Sequence, residues 1–300
     1  MLNHPPTAHP SDPLEDRVDK DDSMTGRLVL CATPIGNLED VSLRLLRTLA
    51  EVDIVACEDP RRTKKLLTHH GVAVRSMVVY NDGNERSRAA ELVGRIRTGL
   101  TVALVSDAGM PGLSDPGYRL VRGCVEAGLS IEVVPGPSSI VSALALSGLP
   151  PARFVFEGFL PRKEGERRRR IEALASEQRT LVLFVPPHRA QGTLEDLLEG
   201  LGDRPAALAR ELTKLHEEVI RGSLGELLER LRTRPARGEL VLVLGGAVGE
   251  HRPQPQPEEL AARARALMDD GIERKEALTQ VAGELGVPRR KVFDSLLEPE

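Results

Sequence analysis

The sequence predicts an α/β fold of two domains, the first built on a mostly parallel sheet, followed by a small helical module. Three observations predict it. Short apolar runs alternate with longer amphipathic stretches in the first half of the chain, the pattern of a parallel sheet covered by helices. The segment SGLPPARF (Ser147–Phe154) interrupts that alternation with a glycine and two prolines, and a second alternation follows. Beyond GEHRPQPQPEE (Gly249–Glu259), only helical patterning remains. The expected divisions are a disordered tail over 1–25, a first α/β domain over 26–149, a second over 150–248, a linker over 249–258 and a helical module over 259–300.

In chain order, the first domain's strands are expected at Leu28–Ala32, Val52–Cys57, Met77–Tyr80, Thr101–Val105 and Ser130–Val134. Its helices are expected at Val41–Ala50, Arg61–His69, Glu85–Thr98, Gly117–Ala127 and Ser138–Leu146. In the second domain the strands fall near Phe154–Glu157, Thr180–Val185, Ala206–Ala209, Glu217–Arg221 and Glu239–Leu244. The helices there fall at Arg167–Ser176, Thr193–Gly200 and Leu224–Thr233. Alternating Pro and Gln bury nothing, so the following stretch is read as linker. Three short helices follow, at Glu259–Asp269, Arg274–Leu285 and Arg289–Leu297. Leu278, Val281, Ala282, Leu285, Val292 and Leu296 supply a small core, and LGVPRRK (Leu285–Lys291) supplies the turn. The pattern is that of a helix-turn-helix module, with a plain helical tail as the alternative.

Composition narrows the function classes. The 300 residues carry a net charge of −4, and the first 24, rich in Asp and Pro, account for all of it. Residues 25–300 are therefore balanced, and a nucleic-acid surface must be a local patch. The N-terminus has no apolar core and so does not read as a signal peptide, and no run approaches the roughly 18 apolar residues of a membrane span. Three cysteines, Cys31, Cys57 and Cys124, stand far apart with no C-x-x-C. That spacing predicts neither a metal site nor a disulfide framework and fits the reducing cytoplasm. With no Trp, two Tyr and five Phe, extensive stacking of bases on aromatics is not available.

The candidate chemistry lies in loops that follow strands, where open α/β sheets bind ligands. TPIGN (Thr33–Asn37) turns from the first strand into an acidic segment. VSDAGMPGLSDPG (Val105–Gly117) packs three glycines, two prolines and two aspartates; Asp107 and Asp115 can accept hydrogen bonds from a ligand, or cap turns. In VVPGPSSIVSALALSGLP (Val133–Pro150), Ser138 and Ser139 open a small-residue helix whose N-terminal amides suit an anionic group, or merely cap a core helix. CEDPRRTKKLL (Cys57–Leu67) sets Glu58 and Asp59 beside Arg61 and Arg62, for substrate positioning or a salt-bridged helix start. YNDGNE (Tyr80–Glu85) places Glu85 at a helix start, where capping is the default role. FLPRKEGERRRR (Phe159–Arg170) has six bases against two acids from Pro161 on, a phosphate-binding patch or a solvated face. Glu211, Thr213 and Lys214, in ALARELTKLHEE, can face an interdomain cleft.

TPIGNLED, EDPRRTKKLL, SDAGMPGLSDPG, PGPSS, EGFLPRK and ARELTK, in this order from about Arg27 to Leu244, resemble the tetrapyrrole-methylase superfamily. Within it they resemble the branch that 2′-O-methylates a cytidine in the decoding region of bacterial 16S ribosomal RNA, and the C-terminal helices resemble that branch's appended module. The resemblance implies S-adenosylmethionine as cofactor, 16S rRNA or the small ribosomal subunit as partner, and a homodimer. It implies that Thr33, Pro34 and Gly36 line the reaction site. Asp107, Ala108 and Met110 would hold the cofactor with Ser138 and Ser139, and Glu211 and Thr213 would approach from the second domain. The absence of G-x-G-x-x-G fits a cofactor other than a dinucleotide.

Three departures bear on the chemistry: Pro60 stands where the family usually has Thr, Val185 where it has Glu, and Gly83 where it has His. A 2′-hydroxyl is a weak acid, so its attack on the methyl needs a nearby proton acceptor or late proton loss to water. The expected candidates are Glu58, Asp59 and Glu85, with Arg61 steering phosphate. Arg162, Lys163, Arg167 and Arg168 would grip the RNA backbone with the C-terminal module. The alternatives are a precorrin or uroporphyrinogen methyltransferase and a non-catalytic nucleic-acid-binding protein.

Overall fold

The computed structural model describes residues 26–248, 255–285 and 287–297; the expected tail and most of the expected linker lie outside them. The described residues form two compact units that divide between Ala247 and Val248. The first contains two five-stranded sheets. Its first sheet has the order β3–β2–β4–β1–β5, from β1 (Arg27–Cys31), β2 (Ile54–Cys57), β3 (Met77–Val79), β4 (Val102–Val105) and β5 (Ser130–Val134), all parallel. IVAC of β2 and VALV of β4 are buried throughout, as strands covered on both faces must be.

Helices α1 (Leu43–Glu51), α2 (Pro60–His69), α3 (Glu85–Arg97) and α4 (Tyr118–Glu126) make the crossovers, and α5 (Ser139–Ser147) leads out of the sheet. Their starts are written in the sequence. The Ser42 hydroxyl accepts from the Leu45 amide at 3.0 Å. The Asp59 carboxylate accepts from the Arg61 amide at 2.9 Å, and Pro60 occupies the first helical position, where the missing N–H costs nothing. The chain after β1 crosses to β2 on one side and the chain after β4 crosses to β5 on the other. The loops after these two neighbouring strands therefore part at a topological switch point, where such sheets hold ligands.

The second sheet has the order β6–β7–β10–β8–β9, from β6 (Phe154–Phe159), β7 (Thr180–Val185), β8 (Pro205–Arg210), β9 (Glu218–Ser223) and β10 (Leu240–Leu244). Only β6 and β7 are parallel; the remaining pairs are antiparallel. Helices α6 (Glu164–Ala173), α7 (Ala190–Leu201) and α8 (Leu224–Thr233) accompany it, α8 opening on a Ser223/Glu226 capping box. Helix α6 starts three residues before the expected Arg167, because Glu164 and Glu166 suit the positive end of a helix.

At Ser147–Phe154 the chain passes from one sheet to the other, Gly148 ending α5 in the left-handed conformation. The two sheets nonetheless share apolar packing. Ile140, Ala143 and Leu144 of α5 join Val182, Ala207, Ala209, Val241 and Val243 of the second sheet in one buried cluster, with Ile35 and Leu212 beside them.

The second unit consists of α9 (Pro257–Asp269), α10 (Arg274–Leu285) and α11 (Arg289–Ser295) around Leu260, Ala264, Leu278, Val281 and Val292. Helix α9 begins two residues earlier than expected, with Pro257 at its first position. Cys31, Cys57 and Cys124 are free and buried, and burial pushes the Cys31 thiol up to about 12. No described helix is long and apolar enough to cross a membrane.

Candidate active site

A cleft of about 1050 Å³ opens between the loops at the carboxyl edge of the first sheet and one end of the second, and a cavity of about 360 Å³ adjoins it. Ile35, Arg62, Asp107, Ala108 and Glu239 line both. The β1 loop forms the floor of the smaller one. Thr33 is buried and fully bonded: it exchanges backbone hydrogen bonds with Gly109 at 2.9 and 3.0 Å, and its hydroxyl donates to the Ser106 carbonyl at 3.1 Å. Thr33 thereby ties the β1 loop to the β4 loop across the switch point. Thr33, Pro34 and Gly36 line the smaller cavity and not the larger.

Gly36 is fixed by close approach. A Cβ there would lie 2.5 Å from Lys214 Cγ, 2.7 Å from Thr213 Oγ1 and 2.9 Å from the Leu212 carbonyl. The next residue, Asn37, donates its amide to Thr213 Oγ1 at 3.0 Å. Glu211 and Thr213 both hold positive φ, 51° and 65°. The Glu211 carboxylate serves its own loop, accepting from the Glu239 amide and from Lys214 Nζ, both at 2.9 Å. Those donors hold it below the usual carboxylate range. Glu211 and Thr213 therefore shape the wall, while Leu212 and Glu239 reach the larger cleft and Lys214 the smaller cavity.

The first-sheet side of the larger cleft is acidic. Asp107, Ala108, Met110, Ser138 and Ser139 all line it, together with Glu58 and Asp115. Asp107 is engaged: Oδ1 accepts from the Asp59 amide at 3.0 Å, and Oδ2 lies 3.4 Å from Arg62 Nε. Glu58 and Asp115 have no ion pair among the described residues. Burial, and then the Asp107 charge, push Glu58 above the usual carboxylate range. Burial, and then the Glu58 charge, push Asp115 up to about 7. The Ser138 hydroxyl caps α5, whose first turn opens on the cleft.

The other expected carboxylates are placed elsewhere. Asp59 is clamped by Arg61, with Nη2 2.8 Å from Oδ2, and the guanidinium holds it down to about 2. Neither residue lines the cleft; Arg62 does. Glu85 is held by the Tyr80 hydroxyl at 3.2 Å, the Gly117 amide at 3.0 Å, the Arg119 amide at 3.3 Å and the Arg119 guanidinium at 3.4 Å. It anchors the start of α4.

The second-sheet side is aromatic and basic: Phe159, Phe184, Arg162, His188 and Arg189. Of the basic run, only Arg162 reaches the cleft. Lys163 pairs with Glu166 at 3.3 Å and Arg168 with Glu164 at 3.0 Å, both on the open face of α6, while Arg167 is half-buried against Asp196. Phe184, His188 and Arg189 belong to LVLFVPPHR, a stretch the sequence places at a second-domain strand without giving these residues a site role, since nothing there says which end of β7 meets the other sheet. Val185, at the second of those departures from the family pattern, lines the cleft as an apolar residue. Among the described residues no group of His, Cys, Asp and Glu is placed to hold a metal ion.

Residues 27–228 match the model of the tetrapyrrole (corrin/porphyrin) methylases. The chain is 44% identical over 276 residues to the ribosomal RNA small subunit methyltransferase I of Synechocystis sp., covering 92% of this chain and 99% of that one. It is 39% identical to the protein of the same name from Escherichia coli O157:H7, covering 93% and 97%. The Thermotoga maritima protein of that name is 45% identical over 221 residues, 74% of this chain and 99% of its own. Among solved structures, a uroporphyrin-III-C-methyltransferase from Thermus thermophilus superposes with a TM-score of 0.52 at 26% identity, covering 75% of this chain and 96% of that one.

Proposed function

Because the chain belongs to the tetrapyrrole (corrin/porphyrin) methylase family, whose members are S-adenosylmethionine-dependent methyltransferases, we propose that it methylates small-subunit ribosomal RNA, at a cytidine 2′-hydroxyl in the decoding region of 16S rRNA. The observation that carries the substrate is identity. The proteins named ribosomal RNA small subunit methyltransferase I are 39–45% identical to this chain, whereas the uroporphyrin methyltransferase structure is 26% identical. The loop motifs named above support the cytidine 2′-hydroxyl as acceptor. A small ribosomal RNA acceptor also agrees with the aromatic and basic side of the cleft, which an anionic nucleotide suits.

The cleft fits S-adenosylmethionine by its chemistry. Its size suits a nucleoside-sized ligand, its lining is mostly apolar with a few polar groups, and carboxylates gather on one side, where a sulfonium is favoured. Asp107, Ala108, Met110, Ser138 and Ser139 would hold the cofactor, the amides at the start of α5 suiting its carboxylate. Thr33, Pro34, Gly36, Glu211 and Thr213 would act by fixing the walls. When bound, the cofactor supplies an electrophilic methyl on a good leaving group, so the protein's work is mainly positioning. The acceptor oxygen gains the methyl carbon and must lose its proton. Glu58 and Asp115 face the cleft without a cation partner and would take it. Asp59, Arg61 and Glu85 would support the loops that carry them.

Lys163 and Arg168, paired only to exposed acids of their own helix, exchange readily to phosphates, and α11 starts with Arg289, Arg290 and Lys291. These would contact RNA backbone. A homodimer is proposed, with the exposed apolar side chains Leu43 and Val133 as the ones a second copy would cover. The cytoplasm is the proposed location.

The test is methyl transfer from labelled S-adenosylmethionine to small ribosomal subunits from a strain lacking the activity, with the product nucleoside mapped. Labelled 2′-O-methylcytidine is the expected product. Cofactor binding with no label in RNA, and label in uroporphyrinogen or a precorrin, would overturn the substrate.

A further inference from the structure

Aromatic side chains are scarce in this chain, yet three of its five phenylalanines cluster together, and two of them, Phe159 and Phe184, line one side of the cleft. The ring centroids of Phe156 and Phe184 lie 5.1 Å apart at 73°, and those of Phe159 and Phe184 5.2 Å apart at 50°. Phe156 packs in the apolar cluster shared by the two sheets, but Phe159 is 54% exposed. A large apolar side chain left open beside a cavity is costly unless something covers it.

Phe159 owes its direction to a bulge. The register between β6 and β7 shifts between Phe156 and Gly158, and Gly158 holds φ +67°, where a Cβ would lie 3.1 Å from Ser114 Oγ of the β4 loop. The bulge turns the last residue of the strand to the cleft, a use of bulges common beside binding sites. Besides Arg62, which pairs with Asp107, two guanidiniums line the same cleft, and neither Arg162 nor Arg189 has an ion pair among the described residues. The Arg189 Nε is buried with no hydrogen-bond partner, a donor that costs about 1–3 kcal/mol until something accepts from it. Arg162 is held from behind, its carbonyl accepting from Arg167 Nη1 at 3.1 Å.

We propose that Phe159, Arg162 and Arg189 form a seat for one extruded nucleotide of the RNA substrate, the base stacking on Phe159 and a phosphate meeting the two guanidiniums. The seat rests on the ribosomal RNA reading above and adds to it a rule of access. The acceptor nucleotide leaves its stack and enters the cleft from the second-sheet side, while the cofactor occupies the acidic side. A planar base covers an exposed ring without sequence preference, and an anionic phosphate suits two cleft-lining guanidiniums that have no ion pair among the described residues.

The absence of tryptophan makes the test direct, because Phe159→Trp places a single reporter in the seat. With the full chain, a short single-stranded cytidine-rich RNA should quench that emission, and S-adenosylhomocysteine should not. Phe159→Ala should weaken RNA binding by about tenfold, the loss expected of one stacked base. Arg189→Ala should lower the slope of log affinity against log salt by about one. Affinity for S-adenosylhomocysteine, read by calorimetry, should stay within about twofold in both variants. Quenching by S-adenosylhomocysteine, with loss of its affinity in Phe159→Ala, would assign the ring to the cofactor's adenine and overturn the seat. RNA binding by the wild type that neither variant moves would overturn the seat alone. Cofactor binding without any RNA binding by the wild type would overturn the ribosomal reading, and the seat with it.

Discussion

Replacing Asp115 by Asn tests the acidic side of the cleft. The unfolded chain loses the Asp115 proton near 3.8, and the folded chain holds it to about 7. Between those values the native state binds the extra proton, so the wild type loses stability as pH rises from about 4 to about 7 and little beyond. The gap corresponds to about 4 kcal/mol at 1.36 kcal/mol per pKa unit, and water in the open cleft should reduce it to roughly 2 kcal/mol. Glu58, Asp107 and Asp82 face Asp115 with like charge, and Glu58 titrates beside it, so the midpoint belongs to the pair. Asparagine cannot ionise and pays none of this. Urea unfolding of both proteins at pH 4, 5, 6, 7 and 8 therefore has a defined outcome: the variant gains about 2 kcal/mol on the wild type across the series. Methyl transfer by the wild type should rise with pH through about 7, and the variant should lose most of that rise. A stability difference that does not change with pH would refute the reasoning, since Asp115 would then ionise as an ordinary surface carboxylate.

Other substitutions separate support from contact. Glu85→Ala strands the Tyr80, Gly117 and Arg119 donors and should cost about 2 kcal/mol in thermal unfolding, with affinity for S-adenosylhomocysteine kept within about twofold. Gly36→Ala forces the β1 loop away from Leu212, Thr213 and Lys214 and should weaken cofactor binding about tenfold in calorimetry. Arg167→Ala leaves half-buried Asp196 unpaired and should cost about 1–3 kcal/mol, whereas Arg168→Ala should change stability by less than about 0.5 kcal/mol. Equal costs at 167 and 168 would show that the Asp196 pair is no anchor.

The elements were legible because their signals are local. Buried parallel strands read as unbroken apolar runs, and Ser42, Asp59 with Pro60, and Ser223 with Glu226 mark helix starts within a few residues. The loops after β1, β4 and β5 were legible as candidate binding loops through their Gly, Pro and Asp content, and the β1 and β4 loops meet at the switch point. What was hidden depends on partners far away in the chain. Glu58 and Glu85 are both carboxylates beside a strand end. One faces the cleft while the other is consumed by an amide 32 residues away, and no local pattern distinguishes them. The basic run reads as one patch, yet acids split it into an anchor at Arg167, paired surface residues and Arg162 at the cleft. Phe159 and Arg189 stayed hidden because a bulge and the mixed second sheet set their directions.

The apolar cluster that joins α5 to the second sheet has a mechanical consequence. Ile35, at the foot of the cleft, and Leu212, on its opposite wall, belong to that same solid packing. The cleft is thus a notch cut into one body rather than a jaw between two, and widening it would mean opening a close-packed interior. An enzyme built this way does not wrap its target. With the proposed ribosomal RNA substrate, the RNA has to supply the flexibility, and an acceptor nucleotide pinned in a rigid helix would react poorly however well its sequence matched.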